Sequence, residues 1–279
     1  MWKRATFGLL ATWLATGCGA VEFGNGNTVT EDRPLDGFQS VTHEGSLDIF
    51  VREGEVMSVK VTVDSNLQDN VRTFMGPDSQ LVIVTDGNIH PDGPARVEVT
   101  MPRIVGAALE GSGALTAEGF GGQAAEHVRL RMEGSGTVRF CGAAHRLEAR
   151  LEGSGRMTLC TPTSVMAEAV ELSLSGSGEL NWKGSANNVQ ATSRGSGDMT
   201  LEGTARRLGA RVEGSGDLDA RALRTVDLDL VAEGSGDVQA TVEGGVVTVS
   251  HDSSGDVELW GRASRDEIRQ RGSGRVIWR

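Results

Sequence analysis

Six carboxylates recur in three pairs, Glu213 with Asp217, Glu233 with Asp237, and Asp252 with Asp256, each pair bracketing a Gly-Ser-Gly or Ser-Ser-Gly triplet. Carboxylate oxygens are the hard donors of which a Ca²⁺ ion takes six to eight, so one expectation is a divalent cation, most plausibly Ca²⁺, held by these six residues. The competing expectation is that an Asp after a Gly-rich bend bonds local backbone while the Glu before it faces water. Arg194 on one side, and Arg271 with Arg275 on the other, bracket the acidic run. Two further groups could do chemistry: Cys141 and Cys160, 19 residues apart, and Cys18, preceded by Ala15-Thr16-Gly17. Serine offers no nucleophile, because a catalytic serine would stand once in a unique setting, whereas equivalent serines recur from Ser112 to Ser273.

The elements that must position these residues are set by a repeat. Triplets begin at Gly111, Gly134, Gly153, Gly176, Gly195, Gly214, Gly234, Ser253 and Gly272, in steps of 23, 19, 23, 19, 19, 20, 19 and 19 residues. A unit that short cannot bury its own apolar face and must stack on copies of itself. Four positions after the first residue of each triplet stand Leu115, Val138, Met157, Leu180, Met199, Leu218, Val238, Val257 and Val276. Six positions after stand Ala117, Phe140, Leu159, Trp182, Leu201, Ala220, Ala240, Leu259 and Trp278. Apolar columns also run four and six positions before the triplet, with charged residues such as Arg129, Arg131 and Glu148 between them. This period-two alternation on both sides of the bend predicts two short strands per unit. Strict column identity predicts coils lying directly on one another about 4.8 Å apart. The fold expected is all-β: a single-stranded parallel β-helix, or solenoid, of about nine coils of 19 to 23 residues.

That register gives the cysteines a role. They fall in neighbouring coils of a polar column, seven positions after the triplet, and a spacing near 4.8 Å suits a disulfide. In the same column Lys183, Glu202 and Arg221 alternate in sign, as a cross-coil ladder should. His251, in the column two before the triplet, is expected to be a satisfied or partly exposed side chain rather than a metal ligand.

The first residues read as an export address. Lys3 and Arg4, the apolar stretch Phe7 to Leu14, and small residues before Cys18 make a signal peptide over 1–17, too short to span a membrane. Ala15-Thr16-Gly17-Cys18 is similar to a bacterial lipobox, with Ala15 where Leu is usual, Cys18 carrying the acyl (palmitate-class) anchor and Gly19 favouring the outer membrane. The alternative is cleavage by an ordinary signal peptidase, which Ala15 and Gly17 would also suit. Residues 18–33 are expected to be a flexible tether, 34–100 an irregular β-rich cap and 101–279 the coils.

The run Val41 to Ile49, with Val59 to Leu67, Leu81 to Val84, Met101-Pro102-Arg103 and the Gly-Ser-Gly-Asp stretches at Gly195, Gly214 and Gly234, resembles the bacterial "putative auto-transporter adhesin, head GIN domain" family over about residues 34 to 279. The resemblance implies a β-helix-like, envelope-exposed, non-enzymatic domain. It supplies no catalytic residues. The pair of cysteines and the regularity of the coils depart from many relatives.

Composition narrows the partners. Without Lys3 and Arg4 the net charge falls from −11 to −13, and no basic stripe is present, so nucleic acid is not an expected partner. The chain has no Tyr, which leaves few stacking platforms for sugars. Gly24-Asn25-Gly26 only begins a dinucleotide-type pattern, since Val29 stands where its third Gly belongs. The expected function is a non-catalytic envelope lipoprotein, adhesive or scaffolding, meeting the membrane through its lipid and another envelope protein or a cell-surface glycan. Two alternatives are a carbohydrate-active β-helix lyase or hydrolase, which would need a unique acid/base pair and long loops, and an envelope-stress accessory protein. Only the 23-residue steps, around 119–123 and 161–165, leave room for loops.

Overall fold

The corner at each triplet builds the fold. In the computed structural model, which describes residues 21–162 and 164–279, the Gly111 carbonyl accepts the N–H groups of Ser135 and Gly136, both at 3.1 Å. Gly134 does the same for Ser154 and Gly155, at 3.0 and 3.2 Å. Two amides can converge on one carbonyl only if the coils approach closely and the first glycine turns with positive φ, which is +117° at Gly134. A Cβ at Gly134 would lie inside contact distance of the Gly111 oxygen, so the position admits no other residue in this conformation. At Ser253 the φ is not positive and the side chain takes over the corner. Its Oγ donates to the Gly234 carbonyl and accepts from the Gly255 N–H, each at 3.1 Å.

Between corners the chain is more continuous than two short strands per coil. Single strands of 17 residues, Thr137–Gly153, Glu179–Gly195, Asp198–Gly214 and Leu218–Gly234, run from one corner to the next. They pair in parallel with like positions opposite, as in Gly195 on Gly214 and Leu180 on Met199. The apolar columns point inward: Leu115 to Val257 and Ala117 to Leu259 are buried in every coil. Only the last coil opens, with Ile268 exposed and Val276 and Trp278 half-buried.

The irregular steps are absorbed at the far corner. The first four-residue excess becomes register shifts inside the strand Ala114–Gly134. The second interrupts pairing between Arg156–Cys160 and Ala167–Gly176. The 20-residue step adds one residue between Asp219, opposite Thr200, and Leu223, opposite Gly203, a bulge in an otherwise regular ladder.

The N-terminal third is β-rich, as expected, and one coil of it joins the stack. Ser40–Gly45 lies parallel on Gly106–Gly111, with Gly45 opposite Gly111, and Asp48–Glu53 lies on the strand that begins at Ala114. Gly45 has φ +146° and its carbonyl accepts from Ser112 and Gly113, so Glu44-Gly45-Ser46 is a full corner. Gln80–Thr85 and Arg96–Met101 stack on the other side of that coil. The coil at 40–53 is thus inserted between 80–101 and 106–118, out of sequence order. The column four positions past the corner runs Val97, Ile49, Leu115 and onward to Val276. Antiparallel pairings then close this end: Val71–Met75 on Gln80–Thr85, and Ser58–Asp64 on Arg96–Met101.

The tether expected over 18–33 is replaced, from residue 21 on, by strands. Thr28–Arg33 pairs antiparallel with Ser58–Asp64, and Val21–Phe23 pairs parallel with Asn88–His90. The Asn and Gly content that suggests a linker makes the turn between them instead. Asn25 Oδ1 accepts from Asn27 N–H at 3.0 Å, and Asn25 Nδ2 donates to Ser65 Oγ at 2.9 Å. The signal peptide at 1–17 and Cys18 lie outside the described residues.

Candidate binding face

The acidic residues flank the corners, and their carboxylates are turned onto the chain itself. Asp198 Oδ1 accepts the Asp217 N–H at 3.0 Å, Asp217 Oδ1 the Asp237 N–H at 2.8 Å, Asp237 Oδ1 the Asp256 N–H at 2.7 Å, and Asp256 Oδ1 the Arg275 N–H at 2.8 Å. In earlier coils the equivalent amide goes to a corner carbonyl, as Thr137 N–H does to Gly113 at 3.0 Å. Where the aspartates take it, the strand begins one residue later, at Leu218, Val238 and Val257. A column of like charges thereby becomes a side-chain-to-backbone ladder. It is closed at one end by Arg275, whose guanidinium reaches Asp256 at 2.7 Å and holds that carboxyl below the usual carboxylate range.

The glutamates make ion pairs instead. Glu213 receives Arg211 and, at 3.0 Å, Arg194 from the neighbouring coil; these guanidiniums depress its pKa. Arg211 also reaches Glu233 at 3.1 Å. The six residues expected to gather round a cation therefore stand in two separate columns, and among the described residues no three His, Cys, Asp or Glu side chains converge on one point.

In the column seven past the corner, Cys141 and Cys160 lie opposite each other with Cα atoms 4.6 Å apart and are joined by a disulfide. Lys183 reaches Glu202 at 2.9 Å across one coil. Arg221, expected to extend that alternation, turns back to Asp219 on its own strand at 2.6 Å, because the bulge shifts it out of register with Glu202.

The interior column two before the corner holds His251 buried and hydrogen-bonded, and it also holds His43, which sequence reading missed. His43 is fully buried, and its Nε2 accepts the Leu47 N–H at 3.1 Å, so Nδ1–H donates to the Ile83 carbonyl at 3.2 Å. Ser193 Oγ, His251 Nε2 and Gln270 Nε2 donate to the carbonyls of Gly197, Gly255 and Gly274, at 3.4, 2.8 and 2.7 Å. Each polar residue in this column spans the corner to the residue four ahead. The signal was the Glu44-Gly45-Ser46 match to Glu110-Gly111-Ser112, hidden because 66 residues separate the two corners.

Outside, the column five before the corner carries Arg129 and Glu148, and that three before carries Arg131 and Arg150. Beside them Gly106 and Ala108 fill the same columns with almost no side chain, and a shallow depression of about 560 Å³ opens there. Thr42 and Gln80, bonded to each other at 2.5 Å, form one wall, and Arg129, Arg131 and Arg150 rise on the other. Glu148 lies between two of these arginines, 2.6 Å from Arg150 and 3.7 Å from Arg129. None of the described helices is long and apolar enough to cross a membrane.

The family model for "Putative auto-transporter adhesin, head GIN domain" matches residues 37–163 and again 158–263. Two solved structures share the fold over 92% of this chain. One, from Parabacteroides distasonis, is described as a putative lipid binding protein (TM-score 0.65, 19% identity, 100% of that chain covered). The other, from Parabacteroides merdae, is described as a putative adhesin (TM-score 0.65, 18% identity, 98% of that chain covered). No curated protein matches the chain.

Proposed function

The chain belongs to the putative auto-transporter adhesin, head GIN domain family, and from that membership we propose a non-catalytic binding module of the cell envelope, carried on a lipid at Cys18. Its ligand side is the outer face over Gly106 and Ala108, which takes an acidic cell-surface glycan or an acidic segment of another envelope protein. The observation that carries this reading is the depression itself. Its floor is peptide backbone and small side chains, and its rim offers guanidiniums that pair with planar carboxylates. The lining carries three arginines against two carboxylates, Asp78 and Glu148, in a chain that is acidic as a whole. A ligand carboxylate would share Arg131 with Glu133, and Arg129 and Arg150 with Glu148. Backbone hydrogen bonds on both sides of each coil keep the face stiff, which reduces the ordering cost of binding. The descriptions of the two structural relatives, adhesin and lipid binding, both name binding roles.

Glycan and envelope-protein arrays probed with the full chain test the ligand side. Binding to uronic-acid glycans or acidic proteins that is lost in Arg131→Ala and in Ala108→Trp, which fills the floor, and is kept in Lys183→Ala, supports the reading. Binding unchanged by both rim and floor variants overturns it. For the anchor, Cys18→Ala should release the protein from the membrane fraction or leave the leader uncleaved, because one residue carries the lipid. A variant that stays membrane-bound with normal processing overturns the lipoprotein reading.

A further inference from the structure

The strand nearest Cys18 is not a linker, and it is built into the cap. Val21–Phe23 pairs with Asn88–His90, Gly24 N–H donates to the His90 carbonyl at 2.9 Å, and Asn66 Nδ2 donates to the Phe23 carbonyl at 2.9 Å. Three Cα-to-Cα steps separate Cys18 from Val21, a reach of at most about 11 Å whatever the conformation. An acyl chain on Cys18 therefore draws the cap to the bilayer surface.

This end of the molecule is dressed for such contact. Val21 and Phe23, two apart and on one face of the strand, are 44% and 67% exposed. Phe74 and Met75, at 41% and 38%, lie in Val71–Met75, the strand that closes the stack on this side. Each of the two strands has one paired side. Of the charges beside them, Arg72 is paired with Asp86, while Glu22, which accepts from Asn70 Nδ2 at 3.0 Å, keeps its negative charge and so disfavours an anionic surface. Contact with lipid would thus be apolar, of the kind amphipathic interfacial elements make, with no call on an anionic membrane.

We propose that the outer edge of the N-terminal cap, led by Val21 and Phe23, seats on a lipid surface, so that the solenoid stands on the membrane by this end. The proposal rests on the reading of Cys18 as acylated. From Val97 to Val276 the inward column has ten steps, which at the usual spacing carries the last coil about 50 Å from the cap. The basic rim over Gly106 is then near the membrane, and the aspartate ladder is displayed far from it.

The test uses the full processed protein, reconstituted in zwitterionic vesicles containing brominated lipid. Intact-mass measurement reads acylation, and fluorescence reads contact. The native tryptophans of the coils, Trp182, Trp260 and Trp278, should be unquenched, and Phe23→Trp should add a component that brominated lipid quenches. A Val21→Ser and Phe23→Ser double variant should keep its acyl mass and become more accessible to protease at 19–33. An acylated protein whose reporter at position 23 is not quenched overturns the seating and leaves the lipoprotein reading intact. A Cys18 without acyl mass removes the premise and overturns both.

Discussion

The amide of Asp237 donates to Asp217 Oδ1, one coil away, at 2.8 Å. The acceptor is a single carboxylate oxygen, and an asparagine presents an equivalent oxygen at the same place. Asp217→Asn should therefore keep the ladder, while Asp217→Ala, which leaves an exposed amide to water, should cost about 1 kcal/mol in chemical denaturation. With these carboxylates occupied by backbone, Ca²⁺ titration should leave the melting temperature unchanged. A Ca²⁺-dependent rise that Asp217→Asn, Asp237→Asn and Asp256→Asn abolish would restore a cation to the column.

Corner glycines and turn glycines should separate cleanly. Gly234 has φ +125°, and a Cβ there would collide with the Gly214 carbonyl. Gly234→Ala should cost about 3 kcal/mol or more, backbone strain and clash together. Gly244 has φ +89° with nothing near a built Cβ, so Gly244→Ala should cost only the backbone preference, about 1 kcal/mol. Equal losses in the two variants, read from denaturation midpoints, would contradict the corner geometry.

Breaking the Cys141–Cys160 link should be costly for so local a bond. It closes a separation of 19 residues, and on the chain-entropy model a loop of that size gives about 3 kcal/mol. Both thiols should resist alkylation in protein taken from the native envelope, and Cys141→Ala with Cys160→Ala should lower the melting temperature. Two free thiols in that material would show that the pair stays reduced.

Acid should act on this protein in two windows. Burial pushes the His43 pKa below its ordinary value of 6.5, and protonating Nε2 would also break its bond from Leu47. The unfolded chain then binds a proton at a pH where the folded one does not. The stability His43 lends is complete above pH 6.5 and falls as pH drops from there toward the folded value. Glu213, Asp219 and Asp256 are likewise depressed by the guanidiniums beside them. Their contributions hold above their ordinary values of 3.8 to 4.5 and fail below. Urea midpoints measured between pH 7.5 and 5 should decline for the wild type and flatten in His43→Gln, whose amide can replace both ring contacts.

The sequence alone determined the repeating part. An inward side chain must recur at the same place in every coil, so Leu115 to Val276 disclose their column directly. The register that follows puts Cys141 opposite Cys160. Glycine at the triplets was legible for the same reason, because one backbone contact repeats and each copy demands the same residue. Side-chain direction was less legible: Asp217 and its neighbours read equally well as cation ligands or as backbone acceptors, and only the closeness of the next coil's amide decides. Arg221 shows the limit of column arithmetic, since one added residue before Leu223 sends its guanidinium back to Asp219.

What only the tertiary structure decided lies where the period is broken. The corner at Gly45 belongs to the same stack as Gly111, yet the chain leaves it, makes the rung on its far side, and returns. No spacing rule encodes that detour, because strand pairing is selected by the edges available in space rather than by distance along the chain. His43 and His251 occupy one interior column eight coils apart for that reason. Val21 to Arg33 was legible only as polar and glycine-rich. It became structure when the open edges of Ser58–Asp64 and Asn88–His90 offered hydrogen bonds that a free tether would have left to water.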